Sequence, residues 1–231
     1  MLKLESATIR NGSFTLTSDL TVPDSATVAV IGPSGAGKST LIEGIAGFLP
    51  VTQGRITWDG TDITGHPPGA RPVAMLFQEG NLFPHLTLAQ NVGLGLSPNL
   101  RLSQGDKTRV TAALERVGLA GMDTRKPGEL SGGQRSRAAL ARVMLQDKPL
   151  LLLDEPFAAL GPALRMEMLD LMAEIAGETG ATLLMISHAP EDARRITTQA
   201  ILVANGTAHA LQPTADLLDD PPPVLRDYLG S

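Results

Sequence analysis

With 231 residues, 42% of them hydrophobic and 19% charged, the chain is composed for a packed core rather than disorder, as one large domain or a core carrying an inserted subdomain. A net charge of −5 argues against a nucleic-acid partner held by phosphate neutralisation, and the lack of cysteine excludes disulfides and thiolate metal sites. The opening MLKLESATIR has no apolar core followed by a cleavage site, and nowhere do about 18 apolar residues run together, so neither a secretory signal nor a membrane span is expected.

In chain order, Leu2–Arg10 and Ser13–Val22 alternate apolar and polar residues around Asn11-Gly12, the pattern of a β-hairpin. The β-branched run Thr27–Ile31 predicts a short strand that leads directly into IGPSGAGKST, Ile31 to Thr40. Gly32, followed after four residues by Gly37, Lys38 and Ser39, has the spacing of a phosphate-binding loop. Glycine lets successive backbone N–H groups turn inward around a polyphosphate, which a Cβ would obstruct. Lys38 can then reach the β- and γ-phosphates, the Ser39 hydroxyl can ligate Mg²⁺, and Thr40–Gly47 predicts a helix whose positive end faces the anion. The phosphate-binding residues expected are thus Gly32, Pro33, Ser34, Gly35, Ala36, Gly37, Lys38, Ser39 and Thr40. A further strand over Gly54–Trp58 ends at the turn Asp59-Gly60, so the first part of the chain predicts an antiparallel sheet beside the strand entering the loop.

Thr64–Pro72 reads as loop and Val73–Phe77 as a buried strand ending at Gln78. Beyond the loop Glu79–Thr87, the sequence predicts a short helix over Leu88–Leu94 and a longer one over Asp106–Val117, capped by Ser103 and broken by Gly118 and Gly121. Pro127–Gly133 is a loop and Gln134–Leu145 a helix. Leu150–Leu153 has the all-apolar character of a parallel strand, and Pro162 suits the first turn of a helix over Pro162–Ala176. A central strand over Ala181–Ser187, a short helix over Glu191–Ile196, and a hairpin from Thr198–Ala204 and Gly206–Ala210 precede a short tail. These elements predict an α/β fold: a core from 1–78 and 146–231, with a helical subdomain over 79–145 inserted into it.

Asp154 and Glu155 follow the Leu150–Leu153 strand directly. In a phosphate-loop protein, an acid at such a strand end faces Mg²⁺ and the γ-phosphate. Asp154 would hold the ion through water, and Glu155 would orient and deprotonate the attacking water. An exposed acidic pair ending a strand is common by itself; the phosphate loop is what favours the catalytic reading.

Leu130-Ser131-Gly132-Gly133-Gln134, followed by Arg135, resembles the signature sequence of ATP-binding cassette (ABC) ATPases. Other motifs of that family follow the same order: Gln78 at the strand end matches the Q-loop position, and His188 at the end of ATLLMISH matches the switch histidine. The resemblance covers nearly the whole chain. It implies a P-loop NTPase (RecA-like) core with an antiparallel β subdomain and an inserted α-helical signature subdomain. It also implies ATP and Mg²⁺ as cofactors, with Ser39, Gln78 and Asp154 around the metal, Glu155, His188 and Gln78 in catalysis, and Ser131, Gly132, Gly133 and Gln134 facing ATP bound to a second copy of the chain. The implied setting is the cytoplasmic face of a bacterial inner membrane. There the cassette is a peripheral partner of integral-membrane permease subunits and, through them, of a periplasmic substrate-binding protein. Within the family, Met75–Leu96, GFLPVTQG and GELSGGQR look closest to the ATP-binding subunits of bacterial thiamine importers. The length agrees, leaving no room for the added C-terminal domain of related iron(III), sulfate, polyamine and maltose cassettes.

Two positions depart from the family pattern. Ala158-Ala159-Leu160-Gly161 stands where a Ser-Ala-Leu-Asp turn is usual, so Gly161 cannot supply the carboxylate that helps couple the two sites of a dimer. The aromatic residue that usually stacks on adenine falls near Ile9 and Arg10, with Phe14 a displaced candidate. These departures predict weaker nucleotide selectivity and slower, less coupled hydrolysis. Competing readings are an importer cassette for iron or an anion, a non-transport ABC protein, and a low-turnover nucleotide-binding module.

Overall fold

The computed structural model describes residues 1–77, 81–158 and 160–229. In chain order the elements are β1 (Leu2–Asn11), β2 (Phe14–Val22), β3 (Thr27–Ile31), α1 (Lys38–Ala46), β4 (Val51–Trp58), β5 (Thr61–Asp62), β6 (Val73–Leu76), α2 (Leu88–Gly93), α3 (Gln104–Arg116) and α4 (Gly132–Met144). They continue with β7 (Leu150–Asp154), α5 (Pro162–Thr179), β8 (Thr182–Ile186), α6 (Pro190–Ile196), β9 (Gln199–Ala204), β10 (Thr207–Ala208), β11 (Gln212–Pro213), α7 (Thr214–Asp219) and α8 (Pro223–Leu229). Two compact units result: Met1–Val73 with Pro149–Glu155 and Leu169–Ser231, and Ala74–Lys148 with Pro156–Met168.

In the first unit, β1 and β2 form the expected antiparallel hairpin. Their closing pair is Asn11 with Phe14, so the loop is Gly12-Ser13, one residue later than Asn11-Gly12, and Gly12 supplies the positive φ of 59° that such a tight loop requires. The strand order β5-β4-β1-β2-β10-β9-β3-β8-β7 departs from expectation in one respect. The phosphate-loop strand β3 does not lie beside the antiparallel hairpin. It sits between β8 and β9 in parallel pairs, and β9 and β10 separate it from β2. The terminal hairpin does the joining: β10 is antiparallel to β9 and parallel to β2, through Thr207 opposite Thr17 and Ala208 opposite Ser18. Burial follows the pairing. β2 alternates buried and exposed residues, as a sheet wetted on one face must, whereas β8 is buried at every position. Ala29 and Ile31 of β3 pack with Ala193 of α6, Leu217 and Leu218 of α7, and Leu225 of α8.

The second unit holds the helical part of the chain. Ser103 caps α3 as expected, accepting a bond from Asp106 N–H while the Asp106 carboxylate accepts the Ser103 N–H. Thr87 and Gln90 make the same reciprocal box at α2. Helix α4 starts two residues before its expected first turn, because Ser131 rather than a loop glycine is its cap. Pro156–Met168, which includes Gly161, belongs to this unit.

One buried cation organises the far end of the phosphate-loop helix. Arg71 is 2% exposed. Its Nη1 donates to Gly44 O (2.9 Å) and Ile45 O (2.8 Å), the outgoing carbonyls of α1. Its Nε donates to His66 O (2.9 Å) and its Nη2 to Thr64 O (2.8 Å), in the loop that follows β5. A helix leaves its last carbonyls without intrahelical donors, and a cation there also meets the negative end of the helix dipole. Arg71→Met is expected to lower folding stability by about 3 kcal/mol, because carbonyls lose their donors in a buried place. Chemical denaturation of the variant beside the parent measures this; an unchanged midpoint would contradict the capping role.

Candidate active site

The phosphate loop is built by close backbone approach. After β3, the chain passes so near β9 that a Cβ on Gly32 would lie 2.0 Å from Val203 O, which only glycine avoids. Gly37 caps α1 with a φ of 106°, and a Cβ there would lie 2.8 Å from the Phe14 ring. Lys38, only 6% exposed, bends back over the loop and donates from Nζ to Gly32 O (2.8 Å) and Pro33 O (2.9 Å). Burial pulls its ammonium below the ordinary lysine range, against the opposing pull of Glu155 and Asp154.

Asp154 closes β7, and Ser39 Oγ donates to its Oδ1 across 3.4 Å. Burial holds the Asp154 carboxyl above the usual range; the Ser39 hydroxyl opposes that shift and the Glu155 charge adds to it. One residue on, Glu155 takes a left-handed φ of 46°. Such a backbone costs a non-glycine residue about 1–3 kcal/mol and tends to be kept where it serves a site. Its carboxylate meets His188 Nε2. Glu155, His188, Asn11 and Phe14 line one cavity of about 510 Å³ together with Ser34, Gly35, Gly37, Lys38, Ser39 and Thr40.

The structure thus brings together most of the residues expected at the phosphates. Gly32 and Pro33 act instead through the carbonyls that hold Lys38, and Ala36 closes the loop's turn by donating its N–H to Pro33 O. At the adenine end, expectation and structure part. Ile9 is fully buried, packed against Gly44 of α1, so it is a core residue and cannot touch a base. Arg10 is exposed on β1 opposite Thr15 and does not line the cavity. Phe14 does. Gln78 lies outside the described residues. Ser131 caps α4, its Oγ accepting from Gln134 N–H (3.2 Å) while Gln134 Oε1 accepts from Ser131 N–H (2.9 Å). Ser131, Gly132, Gly133 and Gln134 thus form the capped start of a helix of the second unit.

Two contributors escaped the sequence reading. Asn11 stands at the hairpin end and lines the cavity; its only sequence signal was that of a turn residue. Glu43 lies one helical turn beyond Ser39 on α1, and burial first, then the Asp154 charge, raises its carboxyl. The donor set suits the groups it would hold. A loop of inward amides with a buried lysine fits a polyphosphate, and a hydroxyl facing a carboxylate fits a hard cation such as Mg²⁺.

A strand, a phosphate loop and a helix, with an acidic pair ending another strand of the same parallel sheet, define a P-loop nucleoside-triphosphate-binding fold. Within that class the chain belongs to the ABC transporter family, which matches residues 16–158. Its relatives include the thiamine import ATP-binding protein ThiQ of Ruegeria sp. (strain TM1040), 61% identical over 231 residues with all of both chains covered. The protein of that name from Cereibacter sphaeroides is 62% identical over 230 residues, again covering all of both chains. Among solved structures, a dimeric post-hydrolysis state of the ATP-binding cassette MJ0796 bound to ADP and Pi superposes with a TM-score of 0.82 at 26% identity. That alignment covers 93% of this chain and 99% of the other.

Asp154→Asn should raise the melting temperature of the nucleotide-free protein at neutral pH while weakening its response to Mg²⁺-nucleotide. A folded-state pKa above the unfolded value means that ionised Asp154 opposes folding, and that this penalty fades as pH falls through the raised range. The gap between parent and variant should therefore narrow on acidification. Thermal melts across pH, with and without Mg²⁺ and ATP, provide the check.

Proposed function

We propose that the chain is the ATP-hydrolysing, energy-coupling subunit of a bacterial thiamine importer. The observation that carries the hydrolytic reading is the meeting of Glu155 and His188 at the cavity lined by Lys38 and Ser39. The cargo is supported by relatives more than 60% identical over their whole length that are named for thiamine import. No helix among the described residues is long and apolar enough to cross a membrane. Permease subunits, with the cassette on their cytoplasmic face, are what the likeness to import ATP-binding proteins supports.

The geometry suggests how each group acts. Backbone amides of Ser34, Gly35 and Gly37–Thr40 and the Lys38 ammonium would hold the β- and γ-phosphates, and the α1 dipole favours their charge. Ser39 and Asp154 would hold Mg²⁺, which would supply charge neutralisation at the phosphates. Phe14 offers an aromatic face beside the loop, and Asn11 a neighbouring amide, for the base. Glu155 accepts a proton from the attacking water, and His188 donates toward the γ-phosphate and keeps the Glu155 carboxylate aimed. Such catalysis is positioning and electrostatics throughout. Ser131–Gln134 of a second copy would close over the γ-phosphate, which makes the working unit a head-to-tail dimer.

Glu155→Gln should retain MgATP binding, lose hydrolysis by about a hundredfold or more, and accumulate as a dimer with ATP. Size-exclusion chromatography and phosphate release test this together, and parent-like turnover would remove Glu155 as base. Deleting the gene should leave growth dependent on high external thiamine; dependence on iron or an anion instead would reassign the cargo.

Gly161 has no atom within 4 Å of where its Cβ would stand and no positive φ, so an aspartate fits without local strain. If the missing carboxylate loosens coupling between paired sites, Gly161→Asp should raise turnover of the assembled transporter severalfold, and equal turnover would exclude that cause.

A further inference from the structure

His188 lies two residues beyond the end of β8, next to Ser187, which is 8% exposed. The Ser187 hydroxyl accepts the Ala189 N–H at 3.1 Å and donates to Asp192 Oδ2 at 2.8 Å; Ala189 O, at 3.2 Å, is its longer-range alternative. His188 is therefore enclosed in a ring of bonds that ties the residue before it to the residue after it. Asp192 anchors that ring from the first turn of α6.

The need for such an anchor comes from the sequence of the corner. The residue at the N-cap of α6 is Ala189, which has no side-chain acceptor, and Pro190 follows it as the first helical residue. An acid in the first turn of a helix would ordinarily reach back to the N-cap N–H. Here Ser187 already holds that N–H, and the Asp192 carboxylate holds Ser187 instead. A charge-assisted O–H···O⁻ bond is shorter and stronger than a neutral one, which agrees with the 2.8 Å separation.

We propose that Asp192, acting through the Ser187 hydroxyl, is a positioning residue that fixes the strand-to-helix corner presenting the His188 imidazole to Glu155 and to the γ-phosphate. This rests on the hydrolytic reading of His188 given above. Asp192 does not line the cavity, so the effect proposed for it is on where the imidazole stands. Displacement of a catalytic group by about 1 Å is enough for a large loss of rate.

The test uses the full-length chain and steady-state ATPase measured against MgATP for the parent, Asp192→Ala, Asp192→Asn, Ser187→Ala and His188→Ala. The expected pattern is a kcat about 10-fold lower in Asp192→Ala and Ser187→Ala, a KM for ATP within about twofold of the parent, and near-parent kcat in Asp192→Asn, whose amide oxygen still accepts the Ser187 hydroxyl. Parent-like kcat in Asp192→Ala, beside a large loss in His188→Ala, would overturn the proposal and leave the role of His188 intact. Equal loss in Asp192→Ala and Asp192→Asn, or a kcat loss matched by the fraction unfolded in a thermal melt, would reduce Asp192 to a structural role and also overturn it. Undiminished turnover in His188→Ala would instead remove the hydrolytic reading on which the proposal stands.

Discussion

The phosphate loop depends on a contact that leaves no room for a side chain: Gly32 passes across the β9 backbone at Val203. That approach sets where the loop leaves β3. Lys38 then draws the loop in by donating to the carbonyls of Gly32 and Pro33. A buried ammonium is costly to desolvate, and a polyphosphate is a natural complement for it. The site is therefore shaped and charged for its ligand before the ligand arrives, which is the condition for electrostatic catalysis at low reorganisation cost.

Helix α1 transmits this arrangement along its length. At its N-terminus it offers amides and Ser39 to the phosphates and Asp154; along its side Gly44 packs on Ile9; at its C-terminus Arg71 takes the outgoing carbonyls. A helix of nine residues has little stability of its own, so these tertiary contacts define its position. The same logic holds at the other corner of the site. Glu155 keeps a left-handed backbone and His188 sits inside the Ser187–Ala189 ring, so both groups proposed for catalysis are held by local geometry rather than by long flexible arms.

The adenine end shows where residue type alone misleads. Ile9 lies on the inward face of β1, and strand alternation puts Arg10 on the opposite, exposed face. Ile9 is thereby withdrawn into the core, and Arg10 does not line the cavity. The tight loop at Gly12-Ser13 turns the chain so that Asn11 and Phe14, paired across the hairpin end, come over the phosphate loop together. Phe14, on the second strand of the hairpin instead of the first, brings an aromatic ring to the cavity.

The sequence by itself determined the local chemistry: a glycine loop between strand and helix, the acidic pair after an apolar strand, the Ser103 cap, and the order of motifs that marks the family. Those features are set by neighbours within a few residues, through turn chemistry, capping and periodicity, and so they can be read from the chain. Tertiary structure alone decided that β9 and β10 stand between β2 and β3, that Phe14 rather than Ile9 meets the cavity, and that Arg71 holds the outgoing carbonyls of α1. Each of these turns on backbone approach between segments distant in sequence or on which face of an element a residue occupies. Residue spacing does not record that information; it exists only once the strands have paired.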